Sequence, residues 1–504
     1  MWRFHSLLGR TLHMTLDHVR PVSGRWFVKI RAKSALSGLV VILALIEPLT
    51  GQTRSAKQPA PESRRSREDN LALRVELHLV DAVCHPTVDQ SQRLKQASSK
   101  YLKEAEDAAE ERRKEFDLAV AENRTPTRGV LWRFDRHRII RDGVANSVGE
   151  TMPTAQATQY QAELKKRKNY RTRTIAHKMV VVLDQILVLS AEQRDKLGDS
   201  LIAHWQNASW EVLELGEYRL PETPDQFIVP HLSEIQRKVW IGGSKGKLYE
   251  PEMAFEQFER KARKEALENT NIEEERRLAQ KVQIPIAIFD KLVFATDMDA
   301  TGARQRLDSL LAIQIADVDR TCTLTETQKQ KVQSAMTSEI TRRFASVDDL
   351  RANSQSVRVD QLANFYFKLP QPMLPSAIDA RLFGDGSYFD STLEQALVSD
   401  QRTKYAKIAD DRRRYWFRAR LDGLVMQFDD SLSLRADQHE RFSTLLLKEI
   451  RIPSQFNGDE SDYTRLFEQI YALDVAKLNA IVDGPQIEQL KYQIEIHKKA
   501  LKQL

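Results

Sequence analysis

Apolar residues recur at helical spacing along most of the chain. Leu94, Ala97, Tyr101, Leu102, Ala105 and the pair Ala108-Ala109 fall at near three- and four-residue steps within a charged stretch that runs to about Asn123. The run from Gln156 to Leu189 contains neither Gly nor Pro and is dense in Lys and Arg, and residues 256–283 form another charged helical stretch. Val180-Val181-Val182-Leu183 alone would suit a strand. Its counterpart Leu424-Val425-Met426-Gln427-Phe428 does not alternate, so both read as helix. Loops are signalled at Leu220-Pro221-Glu222-Thr223-Pro224 and from Leu369-Pro370-Gln371-Pro372 through Gly384-Asp385-Gly386.

A pentapeptide of the form L-[ST]-x-x-Q punctuates these stretches. Its near-intact copies begin at Leu189, Leu232 and Leu324, with Pro86-Thr87 and Val482-Asp483 as variants. Met152–Gln156, Leu397–Gln401 and Leu434–Gln438 keep only the Gln and the spacing. Physically this is a helix start. Ser or Thr at the N-cap accepts from the N3 amide, and Gln at N3 reaches back to the N-cap amide as a capping box. Four such starts fall in each half, so at least four helices are expected per half.

The halves resemble each other. The surroundings of Cys84 lie on those of Cys322 at an offset of 238. Residues 152–197 lie without a gap on 397–442 at an offset of 245, pairing Tyr160 with Tyr405, Arg167 with Arg412, Tyr170 with Tyr415 and Asp184 with Asp429. Leu232–Gln236 lies on Val482–Gln486 at an offset of 250. Offsets that rise in order fit one duplication with small insertions. The expected architecture is all-α: two tandem duplicated helical modules, 71–250 and 310–504, with charged coiled-coil-like helices, joined by a charged helical connector over 251–309.

Composition supports this and removes one alternative. Gly and Pro number only 18 and 17 among 504 residues, which disfavours a turn-rich β fold. The net charge of +6 would suggest nucleic-acid binding, but residues 1–68 hold twelve Lys/Arg against four Asp/Glu, while the rest hold 65 against 67. The body is neutral, so no nucleic-acid partner is expected. The basic leader is followed by the apolar run 35–46, Ala35 to Ile46, closed by Glu47. Its length suits a signal-peptide core better than a membrane span. Residues 1–51 therefore read as a signal peptide or an N-terminal membrane anchor. Residues 52–70 read as a disordered linker. The expected location is the periplasm or cell envelope, with membrane contact only through the N-terminal segment.

The pentapeptide resembles the LTxxQ-motif family of periplasmic proteins, the Spy and CpxP group, which are small helical envelope-stress chaperones or sensors. The blocks V-C-x-P-T-x-x-Q, R-x-x-Y with L-D-x-x-L-x-L-[ST]-x-x-Q-R-D-K-L, Gln236-Arg237-Lys238-Val239-Trp240 and Leu447–Pro453 resemble large exported proteins typical of planctomycete-like bacteria. That second resemblance carries no function.

Candidate chemistry is sparse. Cys84 and Cys322 could form a disulfide joining the halves, or each could be a small buried residue beside a helix start. His78, Cys84 and His85 match no zinc spacing. Asp297–Asp308 partly resembles a calcium loop but reads better as a polar turn. Gly242–Leu248 has one residue too few for a phosphate loop. Arg167-Lys168-Asn169-Tyr170 and Arg412–Arg418 are basic-aromatic clusters that read as solvated helix faces with aromatic anchors. No catalytic, cofactor-binding or metal residue is expected, and no cofactor. The expected function is a non-catalytic exported interaction, scaffold or chaperone-like protein acting on a protein partner in the cell envelope. A stress or metal sensor of LTxxQ type is the second reading. An enzyme with a site between the modules is the third.

Overall fold

The computed structural model describes residues 64–121, 136–204, 224–242, 251–268, 279–294, 299–354, 356–362, 365, 382–383, 386–453, 456 and 460–502. The leader 1–51, the first part of the linker, the phosphate-loop-like residues 243–248 and most of both Pro-rich loops lie outside the described residues. Nearly everything described is α-helix. In chain order the helices are α1 (Arg64–Cys84), α2 (Val88–Ala121), α3 (Arg136–Thr151), α4 (Thr154–Leu187), α5 (Ala191–His204), α6 (Asp225–Ile228), α7 (Glu234–Gly242) and α8 (Pro251–Glu268). There follow α9 (Ile286–Phe294), α10 (Ala300–Cys322), α11 (Glu326–Ser354), α12 (Tyr388–Ala396), α13 (Ser399–Leu432), α14 (Ala436–Glu449), α15 (Glu460–Tyr471), α16 (Val475–Asn479) and α17 (Gly484–Lys502). No helix among the described residues is long and apolar enough to cross a membrane.

Two expectations are corrected. The first helix begins at Arg64, inside the stretch read as linker. Asp69 is buried there against Arg136, and Glu68 accepts from the Tyr492 hydroxyl at 3.1 Å, so tertiary partners draw this polar segment into the fold. The charged stretch 256–283 is not one helix. Helix α8 closes at Glu268, and Lys281–Val282 pairs antiparallel with Val357–Arg358 as a two-residue β ladder, β1 with β2.

The chain divides into two compact units, neither of which is one of the expected segments 71–250 and 310–504. The first comprises the chain up to Arg171, Leu421–Arg451 and the chain from Thr464. The second comprises Thr172–Arg420 and Ile452–Tyr463. The boundaries fall inside α4, inside α13, between Arg451 and Ile452 after α14, and inside α15. Each unit thus combines the early part of one sequence half with the later part of the other.

The first unit has a core of Leu79, Val80, Leu94, Ala105, Ile140, Val144, Val148 and Tyr160. Gly143 permits the close approach of α3 to α2, since a Cβ there would lie 2.2 Å from the Tyr101 ring. The second unit has a larger core that includes Phe289, Leu307, Leu311, Val332, Met336, Ile340, Leu382, Phe389 and Leu393.

Candidate functional site

The pentapeptides form the capping boxes their sequence predicts. Ser190 N donates to Gln193 Oε1 at 3.0 Å, and Gln193 N donates to Ser190 Oγ at 3.1 Å. The same reciprocal pair forms at Thr87/Gln90, Ser233/Gln236 and Thr325/Gln328. The degenerate copies keep the Gln half: Val398, Arg435 and Asp483 each donate their amide to the Gln three residues on. At Met152–Gln156 the N-cap is Pro153, which has no N–H. Gln156 Oε1 is accordingly buried without a partner.

Seven of these eight Gln side chains, all but Gln90, have a second task. The Gln236 Nε2 donates to the carbonyl of Leu187 at 2.8 Å. Gln156 donates likewise to Cys84, Gln401 to Cys322 and Gln486 to Leu432. In every case the acceptor is the residue before a non-glycine residue of positive φ: His85, Val188, Thr323 or Ser433. In return, Gln193 donates to the His231 carbonyl, Gln328 to Ala396 and Gln438 to Ile481. The carboxamides also meet, at 2.8 Å for Gln193/Gln236, 2.7 Å for Gln328/Gln401 and 2.9 Å for Gln438/Gln486. Two helix starts and two helix ends are thereby fastened by one pair of glutamines, which satisfies carbonyls that a helix end leaves open.

An aspartate four residues before each positive-φ residue completes the junction. The carbonyls of Asp81, Asp184, Asp319 and Asp429 accept from His85, Val188, Thr323 and Ser433. The Asp184, Asp319 and Asp429 carboxylates also accept the amides of Leu189, Leu324 and Leu434. Asp81 faces Pro86, which has no amide to give, and takes the Ser91 hydroxyl instead.

Around two of these aspartates lie buried ion clusters. In the first unit Arg167 Nη2 donates to Asp429 Oδ1 at 2.9 Å, with Glu76 at 4.0 Å from its Nη1. His439 Nε2 lies 3.3 Å from the same Asp429 oxygen, and its ring stacks on Tyr170 at 4.3 Å. Glu76 accepts from the Ser433 hydroxyl. In the second unit Arg412 donates to Asp317 at 3.0 Å and lies 3.4 Å from Asp184. Asp184 is also met by Arg194 at 3.2 Å and by the Trp416 indole N–H at 2.7 Å. Arg167 and Arg412, read from sequence as solvated, are in fact desolvated. The signal that could have shown this is that the gapless match pairs an Arg and an Asp of opposite sign in both halves.

The electrostatics hold these groups in one state. Burial would push the Asp429 carboxyl up, but Arg167 and His439 outweigh it and hold it well below the usual carboxylate range. Burial would pull Arg167 and Arg412 down, yet their carboxylates more than offset it. Tyr160 and Tyr415 are pushed upward by burial and stay protonated. Fixed charges and locked protons suit a structural latch.

Cys84 and Cys322 are buried free thiols rather than the two ends of a bond. Each Sγ donates at 3.4 Å to the backbone carbonyl of the Gln opposite, Gln156 and Gln401. Burial raises both thiols, away from the reactive thiolate. Asp299 is the N-cap of α10, accepting from the Gly302 amide at 2.8 Å, as a polar turn would. Among the described residues no group of His, Cys, Asp and Glu, including His78, Cys84 and His85, is placed to hold a metal ion. An open groove of about 260 Å³ is lined by Ile315, Lys329, Gln330, Gln333 and Ser334. Its lysine is engaged by Asp319 at 2.8 Å and Glu326 at 3.1 Å. Comparison of the chain with family models, with curated proteins and with solved structures finds no match.

Proposed function

We propose that this is a non-catalytic, exported interaction or scaffold protein of chaperone-like kind, acting on a protein partner in the cell envelope. One observation supports the reading. The residue types that would supply chemistry are committed to holding helix ends together: Gln and Asp at the junctions, Arg in the clusters, the two thiols against carbonyls. What the chain then offers a partner is the outer face of its charged helices. Export rests on the basic leader and the apolar run 35–46, acting as a signal or as an anchor.

We also propose that the chain arose by duplication of one helical module. Supporting this, residues aligned by the offsets make the same contacts, Gln156 to Cys84 and Gln401 to Cys322 among them, at 2.9 and 3.0 Å.

The experiment is an aggregation-suppression assay with the purified chain, run beside saturable capture of envelope protein. Suppression at near-equimolar ratio supports the chaperone-like reading. The absence of both suppression and saturable capture overturns it.

A further inference from the structure

The glutamine bonds that fasten helix ends stay inside one sequence half. Gln156 bonds to Cys84 and Gln236 to Leu187 in the first half, Gln401 to Cys322 and Gln486 to Leu432 in the second. A set of buried ion and ring contacts runs instead from one half to the other, and these come in reciprocal pairs. Arg167 meets Asp429 at 2.9 Å, while its equivalent Arg412 lies 3.4 Å from Asp184, the equivalent of Asp429. Tyr170 stacks on His439, while its equivalent Tyr415 lies under Arg194, the equivalent of His439. Helices pair in the same way. In the first unit α1 packs on α17. In the second, α10 packs on α7. Helix α10 matches α1 through its closing cysteine, and α7 matches α17 through its capping Gln.

Contacts in which residue i of one half meets j of the other, and j of the first meets i of the second, are those of an isologous interface between like subunits. Neither half makes them alone. Arg167 and Asp184 lie on the single helix α4, 17 residues and therefore about 25 Å apart. Arg412 and Asp429 are spaced identically on α13. Yet each half holds both members of each pair. We propose that the surface each half presents to the other is a self-complementary dimerisation surface, whose partner is a second copy of the same module. The inference rests on the duplication proposed above. A first half set against its own copy pairs Arg167 with Asp184 and Tyr170 with Arg194. A second half pairs Arg412 with Asp429 and Tyr415 with His439. The surface also accounts for the makeup of the compact units, to both of which each half supplies elements. In the intact chain the linked half outcompetes free copies because the link raises its local concentration.

The test cuts the link. A protease site is inserted between Gly242 and Pro251 in unlabelled and heavy-isotope full chain, and each protein is cleaved after folding. The two are mixed, unfolded in denaturant and refolded by dilution beside the uncleaved chain. Native mass spectrometry reads the products. The expected result is mixed-isotope pairs of first with second half, and also pairs of first with first and of second with second. Arg167→Glu should lower first-with-first pairs at least about tenfold, since it breaks both reciprocal contacts, and leave second-with-second pairs unchanged. A product made only of unlike halves overturns self-complementarity. So does a cleaved chain that stays unpaired while the uncleaved chain refolds. If the uncleaved chain does not refold, the folded, cleaved proteins are mixed near their thermal midpoint, and a lack of like-half pairs there overturns the proposal. The duplication fails separately, in a crystal structure where 152–197 and 397–442 do not superpose together with their flanking helices.

Discussion

Gln193 and Gln236 exchange hydrogen bonds with each other: Nε2 of Gln193 lies 2.8 Å from Oε1 of Gln236, and the reverse distance is 3.2 Å. Each oxygen simultaneously accepts an N-cap amide, and each nitrogen donates to a helix-end carbonyl. Only Asn shares this carboxamide, an acceptor with two donors, and its stem is one methylene shorter, which is why Gln persists even where Ser or Thr is lost.

Substituting a buried member should therefore cost more than a lost capping bond. Gln486→Glu keeps the acceptor for the Asp483 amide but sets a carboxylate against the Leu432 and Ser433 carbonyls. We expect a loss of about 2–3 kcal/mol. Gln90, at the surface, should lose less than about 1 kcal/mol on the same change. Calorimetric unfolding of both variants checks the ranking, and equal losses would show that the carboxamide exchange is incidental.

How much of this could be read beforehand depends on range. The capping boxes were legible because Ser190 and Gln193 are three residues apart and need nothing else. The second role of the Gln side chain was not, since the Leu187 carbonyl lies 49 residues from Gln236. The left-handed positions were hidden because none of His85, Val188, Thr323 and Ser433 is Gly. The all-α class followed from helical spacing and sparse Gly and Pro. The makeup of the compact units did not, because it depends on which ends of α4 and α13 pack with which neighbours.

Asp429 ties a junction to an ion cluster, so its charge and its shape can be separated. Asp429→Asn keeps an oxygen for the Leu434 amide but leaves Arg167 facing Glu76 alone. A buried cation without its partner should cost about 3–5 kcal/mol, and Arg167→Met added to Asp429→Asn should recover part of it. A folded-state carboxyl held below its ordinary value contributes stability that is present above the unfolded value of about 3.9 and is lost as pH falls toward the folded one. The Asn variant should therefore show a shallower acid loss of stability between about pH 5 and 2. An unchanged acid slope would remove Asp429 from the account.

The positive-φ residues offer a gain. Thr323 sits at φ 53°, ψ 69°, costly for a β-branched side chain, and it is exposed. Thr323→Asn or Thr323→Gly should raise stability by about 0.5–1 kcal/mol. Val188, at φ 51°, should respond in the opposite way. Its side chain is buried, and Val188→Gly should lose about 1–2 kcal/mol by opening the core. Thermal midpoints of the pair decide it, and a loss at Thr323 would mean that the hydroxyl or methyl packs more tightly than its exposure indicates.

The two thiols give the last prediction. Cys84 and Cys322 are each buried, each donate to a carbonyl and are each raised by burial, so the thiolate that an alkylating reagent needs is scarce on two counts. In the native chain without reductant both should react at least about tenfold more slowly than a free cysteine peptide at pH 8. After unfolding in denaturant, still without reductant, both should react fully, adding two labels by intact mass. One consequence distinguishes the junction from simple burial. Gln156→Leu removes the side-chain bond that ties α4 to the Cys84 carbonyl, and should speed labelling of Cys84 while leaving Cys322 slow. Equal acceleration at both cysteines would indicate a general loosening of the fold instead. Failure to label after unfolding would show a disulfide that the free, carbonyl-bonded thiols do not accommodate.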